Sequence, residues 1–193
     1  ITVCASGCDY TSINAAISAA SDGDVIQLAA ETYFEGQQID TLGKAITLRG
    51  VLDKAGEPTS VLDGAGAHRV LICLSGETSA TSFENLVIQN GSGSLGGGMY
   101  NDSFGSPTLT NCTFTDNSAQ YGGGMANYSS SSPTLTNCTF EGNAAYGYGG
   151  GMFNWNSSSP TLTDCTFESN SSAYTGGGMY NQNLSSPTLA NCT

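Results

Sequence analysis

The chain contains a repeat of nearly constant length, and this feature limits its architecture more than any other. Ser-Pro-Thr-Leu recurs with its proline at Pro107, Pro133, Pro160 and Pro187, so successive copies lie 26, 27 and 27 residues apart. A period of this length is typical of a solenoid, in which each repeat forms one coil and buries its apolar side against neighbouring coils. The chain is therefore predicted to consist of stacked coils.

Within one repeat, apolar and polar residues alternate over short runs. Leu135 lies between Thr134 and Thr136, and Cys138 and Phe140 flank another threonine. Alternation with a period of two indicates β-strands, and no run in the repeat has the 3.6-residue spacing of a helix. Three short strands separated by Gly, Ser and Asn predict one coil of an all-β, three-sided parallel β-helix, with coils stacked about 4.8 Å apart.

Equivalent residues of successive coils are predicted to form columns in the interior. Each column then contains one residue type, as expected for a core built by repetition. The predicted columns are Met99, Met125, Met152 and Met179; Leu109, Leu135, Leu162 and Leu189; Cys112, Cys138, Cys165 and Cys192; and Phe114, Phe140 and Phe167. The same spacing extends the columns backwards, with Phe83 below Leu109 and Cys73 below Met99.

The regular repeats are expected to form part of a single domain over residues 1–193. Residues 1–84 are predicted to form an N-terminal cap and irregular coils, and residues 85–193 the regular coils of 26–27 residues. The one helical candidate spans residues 11–20, where four apolar residues fall on one face after a Thr-Ser capping pair. A short helix at this position would cover the open edge of the first coil.

Asparagine recurs where each coil must turn. Asparagine tolerates a left-handed backbone, and stacked amides hydrogen-bond from coil to coil, so a structural role is predicted. The main predicted ladder is Asn85, Asn111, Asn137, Asp164 and Asn191. Two further ladders begin at Asn101 and Asn117.

Two sets of motifs resemble known families. Phe-x-x-Asn followed by Gly-Gly-Gly-Met is similar to the repeats of chlamydial polymorphic outer-membrane proteins. The opening Cys-Ala-Ser-Gly-Cys-Asp-Tyr, with Gly-Asp-Val-Ile-Gln-Leu and Gly-Lys-Ala-Ile-Thr-Leu-Arg-Gly after it, resembles the start of the pectin-lyase-like superfamily. The resemblance covers nearly the full length and implies a right-handed parallel β-helix. It implies no single activity, because that fold carries lyases, hydrolases, adhesins and surface proteins.

The charges are distributed unevenly along the chain. All four cations and the single histidine lie before residue 70, whereas residues 70–193 carry seven acids and no base. Nucleic acid is not expected as a partner, because phosphate binding needs clustered Lys and Arg. No apolar stretch is long enough to span a membrane. The low charge and the surface rich in Ser, Thr, Asn and Gly predict a secreted, extracellular or cell-surface protein. Most of the nine Asn-x-Ser/Thr sequons are a by-product of the corner asparagines.

The cysteines fall into two groups. Cys4 and Cys8 bracket a Ser-Gly turn and are candidates for a local disulfide, which would fit secretion. The cysteine column is interpreted either as a stack of small buried thiols or as disulfides between coils. A metal site is not expected there, because ligands must converge tetrahedrally and not point in one direction.

The regular coils lack the usual catalytic arrangements, so the protein is predicted not to be an enzyme and to need no cofactor. A β-helix lyase needs a base beside acidic calcium ligands, and a glycoside hydrolase needs paired carboxylates. Asp116, Glu141 and Glu168 are the candidate calcium ligands, and a solvated acidic face is the simpler interpretation. A polysaccharide lyase or hydrolase stays an alternative.

The leading functional hypothesis is a structural or adhesive β-solenoid that associates end to end into filaments. Its basis is the incomplete last coil, because an uncovered end of a solenoid is an assembly surface. Other partners would be cell-surface components or glycans. The candidates for lateral contacts or glycan stacking are the outward aromatic residues Tyr100, Tyr128, Phe153, Trp155 and Tyr180.

Ice binding is the second non-catalytic hypothesis. Outward Thr-x-Thr pairs recur on one predicted face, with hydroxyls about 6.7 Å apart along a strand and about 4.8 Å apart between coils. This spacing resembles the flat threonine arrays of β-solenoid antifreeze proteins. The candidate ice face consists of Thr108, Thr110, Thr134, Thr136, Thr161 and Thr163.

Overall fold

A computed structural model describes residues 1–193 and shows a parallel β-helix with one short helix. The first sheet contains Thr2–Val3, Val25–Leu28, Thr47–Arg49, Ser82–Glu84, Thr108–Thr110, Thr134–Thr136, Thr161–Thr163 and Thr188–Ala190. The second contains Thr32–Tyr33, Ser60–Asp63, Leu86–Gln89, Thr113–Thr115, Thr139–Glu141 and Thr166–Glu168. The third contains Ile39–Asp40, Leu71–Cys73, Met99–Asn101, Met125–Asn127, Met152–Trp155 and Met179–Gln182. A short fourth sheet contains Ser92–Leu95, Ser118–Tyr121, Ala144–Tyr148 and Ser171–Ser172.

The strand register follows the sequence repeat, as predicted for a β-helix. Leu109 pairs with Leu135, and Phe114 pairs with Phe140, in parallel ladders. The ring centroids of Phe114 and Phe140 lie 4.7 Å apart with planes 3° from parallel. The core of the regular coils is therefore made of stacked identical side chains. In the last coil the columns are less covered, and Leu189 is 49% exposed.

The position predicted for Cys73 is wrong. Met99 pairs with Leu71, and Cys73 pairs with Asn101. The segment from Leu71 to Phe83 is two residues longer than the equivalent segment from Met99 to Leu109. The additional residues lie in the loop after Cys73. Counting back 26 residues from Met99 therefore gives the wrong partner on the third sheet. The step holds on the first sheet, where Phe83 pairs with Leu109.

Each regular coil has the three strands predicted from the pattern and, in addition, a short fourth strand. The fourth lies in the segment between the Phe and Met columns, where coil length varies. Ala119 pairs with Ala145 and Tyr121 pairs with Tyr148, so the register shifts by one residue between these pairs. The additional residue of the longer coil is therefore absorbed as a β-bulge around Gly147, which leaves the other three sheets in register.

The main asparagine ladder lies at a corner, as its composition predicts. Asn85, Asn111 and Asn137 have positive φ angles of 58°, 51° and 52°. The Nδ2 atom of Asn111 donates to Oδ1 of Asn85 at 3.1 Å, and Asn137 donates to Asn111 at 2.7 Å. Asp164 accepts from Asn191 at 3.1 Å, but aspartate lacks the amide NH2 group with which each asparagine donates to the preceding coil. The aspartate thus interrupts the ladder.

A second ladder is buried over its first three residues. Asn101 donates to Asn127 and Asn127 donates to Asn154, both at 2.8 Å, and all three residues have no exposed surface. The Oδ1 atom of Asn101 has no hydrogen-bond partner, because Cys73 and not an asparagine occupies the position below it. The regular ladder therefore begins at Asn101 with one unsatisfied acceptor.

The helix Ile13–Ala19 covers the first coil, with Ile13 and Ile17 buried against it. At its start, Glu35 accepts hydrogen bonds from the backbone N–H groups of Ile13 and Asn14, at 2.7 and 3.1 Å. At its end, Lys44 Nζ donates to three backbone carbonyls at 2.6 to 2.9 Å. These charges complement the positive N-terminal end and negative C-terminal end of the helix. The chain has no helix of the length and apolarity needed to cross a membrane.

Candidate functional site

An aromatic groove opens on the outer surface where the third and fourth sheets meet. Its volume is about 450 Å³. Six of its seven lining residues are aromatic, and none carries a formal charge. The aromatic groove is lined by Tyr121, Tyr128, Tyr148, Phe153, Trp155, Tyr180 and Gln182.

The glycine triplet of each repeat creates the concave shape. Gly122 has a φ angle of +66°, a conformation that side chains disfavour. A Cβ atom on Gly123 would collide with the carbonyl oxygens of Ala144 and Gly150 in the next coil. Glycine therefore permits a sharp turn between the fourth and third sheets. This turn brings the tyrosine before the triplet, Tyr121, close to the outward residues after it.

Phe153 lies at the centre of the ring cluster. Its ring centroid is 5.3 Å from Tyr121, 5.7 Å from Tyr128 and 5.7 Å from Tyr180. The Trp155 indole is 6.0 Å away with planes 16° from parallel. Phe153 itself is buried, at 2% exposure, whereas the surrounding rings are half-buried. Mutual packing thus fixes the rings in place while leaving part of each available to a ligand.

The bulge at Gly147 shapes the wall formed by the fourth sheet. Tyr148 stacks on Tyr121 with centroids 6.0 Å apart and planes 9° from parallel, even though their coils differ in length. Tyr146, on the other side of the bulge, is 73% exposed and does not line the aromatic groove. The bulge therefore keeps one tyrosine of this strand in the wall and directs the other into solvent.

Two charged residues, Arg69 and Asp102, adjoin one end of the aromatic groove. Tyr100 packs against Tyr128 at 5.8 Å, and the Arg69 guanidinium lies 4.8 Å above the Tyr100 ring. The Tyr100 hydroxyl donates to Asp102 at 2.7 Å. Burial raises the pKa of Asp102, but hydrogen bonds from Tyr100, Ser129 and the Ser103 N–H outweigh it, so the net pKa is lowered. Burial also raises the pKa of Tyr128 to about 12, so its hydroxyl stays protonated.

The structure brings most of the predicted outward aromatic residues together. Tyr128, Phe153, Trp155 and Tyr180 line the aromatic groove, and Tyr100 adjoins its end. Tyr121, Tyr148 and Gln182 are not predicted from the sequence, because the segment that carries the two tyrosines varies in length between repeats, which is typical of a loop. A signal was present, since Tyr121 and Tyr148 each stand directly before a glycine triplet.

The candidate ice face lies on the first sheet, away from the aromatic groove. Thr108 pairs with Thr134, and Thr134 pairs with Thr161, in register. Thr110, Thr136 and Thr163 lie two residues further along the same strands and form a second column in register. This second column ends at Ala190. The array is therefore a regular two-column surface across three coils.

The three candidate calcium ligands do not form one cluster. Glu141 pairs with Glu168, but the residue in register with them in the preceding coil is Thr115. Asp116 lies one position further, at the corner, with a φ angle of 54°. No three His, Cys, Asp or Glu side chains in the chain are grouped as a metal site would require.

The two groups of cysteines have different environments. Cys4 and Cys8 are joined by a disulfide with Cα atoms 5.6 Å apart. The thiols of the cysteine column are unpaired, and those of Cys112, Cys138 and Cys165 are buried. The adjacent Cys112 thiol, together with burial, raises the pKa of Cys138. The column thus consists of stacked unpaired thiols, three of them within the core.

Comparison with known proteins gives the family. The profile described as "Right handed beta helix region" matches residues 62–193. A pectin methylesterase solved in complex with a hexasaccharide has 13% identity and a TM-score of 0.56, with 86% of this chain and 65% of that chain covered. The pectin methylesterase from Aspergillus niger has 15% identity and a TM-score of 0.56, with 100% and 84% covered. Identity at this level shows a shared fold alone.

A search of curated proteins gives no match. The profile match covers more than half of the chain, and it includes all the regular coils and part of the irregular ones. The ladders of the structure supply the parallel strand pairing that this family requires. The chain therefore belongs to the right-handed β-helix family.

Proposed function

We propose that the protein binds a carbohydrate chain in the aromatic groove. The observation that carries this proposal is a set of half-buried rings held around Phe153 within a groove of about 450 Å³. An exposed apolar surface of this kind on a soluble domain marks an interaction site. Sugar rings present C–H faces that stack on aromatic rings, and hydroxyls at their edges that need polar partners.

The polar groups of the site match this type of ligand. Tyrosine hydroxyls and the exposed Gln182 amide surround the rings. A few convergent polar groups in a mostly apolar groove are what orients a bound small molecule. The pectin methylesterase solved with a hexasaccharide supports the proposal to the extent that the same fold accommodates a glycan.

The proposal concerns binding and not a reaction. The aromatic groove contains no carboxylate, histidine or lysine, whereas glycoside hydrolysis uses two carboxylates and lyase chemistry uses a base. A carbohydrate-active enzyme stays the alternative. It would require reaction at another surface of the β-helix.

Isothermal titration calorimetry with a panel of oligosaccharides tests the proposal. Trp155→Ala is expected to weaken binding about tenfold or more, because a large aromatic residue that lines a binding site supplies a large share of binding energy. Tyr146→Ala is the matched control, since Tyr146 is exposed outside the aromatic groove and its loss should leave affinity unchanged. Absence of binding to every glycan would refute the proposed function.

Ice binding is a second candidate, favoured by the threonine register on the first sheet. The columns through Thr108 and Thr110 are regular across three coils. Thermal hysteresis at millimolar protein would support this function, and its absence would remove it. Filament formation, a secreted location and the similarity to chlamydial repeats stay predictions.

A further inference from the structure

We infer that the aromatic groove selects neutral glycans and rejects polyuronates, an inference that rests on the proposed function. A polyuronate carries one carboxylate on each sugar. Binding it in a site of low polarity therefore requires either cations in the protein or a bound metal ion.

The chain around the aromatic groove offers no such compensation. Residues 70–193 contain seven acids and neither lysine nor arginine, so every coil that contributes a lining residue is free of cations. The chain as a whole has a formal net charge of −12 at pH 7. A polyanion would therefore approach a surface of its own sign, which disfavours encounter as well as binding.

The nearest cation is already engaged by the protein. Arg69 Nε donates to the carbonyl oxygens of Leu95 and Gly96, each at 2.9 Å. One of its terminal nitrogens donates to Gln38 at 3.3 Å, and its planar face covers Tyr100. A uronate carboxylate would have to displace these contacts to pair with Arg69.

The nearest acidic side chain also disfavours the binding of negatively charged sugars. Asp102 adjoins the end of the aromatic groove through its hydrogen bond from Tyr100, and its lowered pKa keeps it ionised at neutral pH. Tyr128, which lines the groove, lies within the field of this carboxylate. A negatively charged sugar at this end would be repelled, whereas a neutral sugar would meet tyrosine hydroxyls.

Calorimetry tests the inference, with neutral oligosaccharides compared with oligogalacturonates of equal length at low ionic strength. We expect neutral ligands to bind at least tenfold more tightly. Asp102→Asn should narrow this difference by strengthening galacturonate binding, with neutral affinity within twofold of the wild type. Asp116→Asn is the matched control, because it removes the same charge at a corner that does not line the aromatic groove.

The possible outcomes separate the two proposals. Galacturonate that binds as tightly as neutral glycans, or that does so when Ca²⁺ is added, would overturn the selectivity and leave glycan binding in place. No measurable binding of either class would remove both. An unchanged ratio in Asp102→Asn would contradict the role given to this carboxylate.

Discussion

The N-terminal region, residues 1–84, and the regular coils, residues 85–193, are held together by different kinds of contact. In the first region, individual polar groups fix individual loops. The buried Glu77 accepts from the Thr41 hydroxyl and from the N–H groups of Gly43 and Ser75, at 2.9 to 3.0 Å. In the regular coils, each residue is stabilised by its copies in the adjacent coils.

The two kinds of contact suit two different tasks. Covering the end of a solenoid needs a unique structure, which the helix with Glu35 and Lys44 provides. Extending the solenoid needs only contacts that repeat. The aromatic groove lies entirely in the regular coils, because it depends on a glycine triplet in each of three consecutive turns.

The largest effect is expected from truncating the phenylalanine column. Phe140 is fully buried, with Phe114 at 4.7 Å on one side and Phe167 at 4.8 Å on the other. Phe140→Ala should lower the free energy of unfolding by about 3–5 kcal/mol, through lost burial and a cavity. Denaturant unfolding measures this. The control Phe34→Ala, at a residue that is 66% exposed, should change stability by less than about 0.5 kcal/mol.

The second largest loss of stability is expected from removing the buried carboxylate of Glu77 in the N-terminal region. Glu77→Ala leaves the donors of Thr41, Gly43 and Ser75 without their acceptor. We expect a loss of about 3 kcal/mol, because charge-assisted hydrogen bonds are lost at a buried site. Hydrogen exchange should show the loop around Gly43 opening before the regular coils. Uniform acceleration of exchange along the chain would contradict a local role.

Replacing a buried asparagine should cost less stability than Glu77→Ala but more than replacing an exposed asparagine of the same ladder. Asn127→Ala removes one acceptor and one donor in the buried ladder, so about 2 kcal/mol of stability should be lost. Asn181→Ala changes the same ladder at its exposed end, where water replaces the lost contact. Its expected cost is below about 0.5 kcal/mol. Equal costs at the two positions would show that the ladder does not depend on burial.

At neutral pH the smallest effect is that of the cysteine column, which lowers stability only in alkaline solution. Contacts with neighbouring thiols and burial raise the pKa of Cys138 and Cys165 above the ordinary value of 9.0. The unfolded chain therefore loses these protons first, and stability should fall as pH rises above 9, by up to about 1.4 kcal/mol per pH unit for each thiol. Chemical denaturation between pH 7 and 10 measures the slope. A Cys138→Ala variant with an unchanged slope would exclude this residue as a source.

The sequence predicts the repeating part of the molecule better than the rest. The columns and the corner asparagines follow from a constant period, since register on three sheets is set by equal spacing. The position of Cys73 fails because one irregular loop is longer. Two of the six aromatic lining residues, Tyr121 and Tyr148, are missed because a bulge at Gly147 makes their strand resemble a loop of variable length. Glu35, Lys44 and Glu77 each make contacts that occur once in the chain, so no repeat in the sequence predicts them.

The fluorescence of Trp155 tests the central claim most directly. It is the only tryptophan in the chain and lies in the aromatic groove, so its emission reports on this site without interference from another. Titration with a neutral oligosaccharide should shift the Trp155 emission with the same midpoint as the calorimetric binding curve. Binding that saturates in calorimetry with no change in Trp155 emission would place the glycan elsewhere and contradict the account.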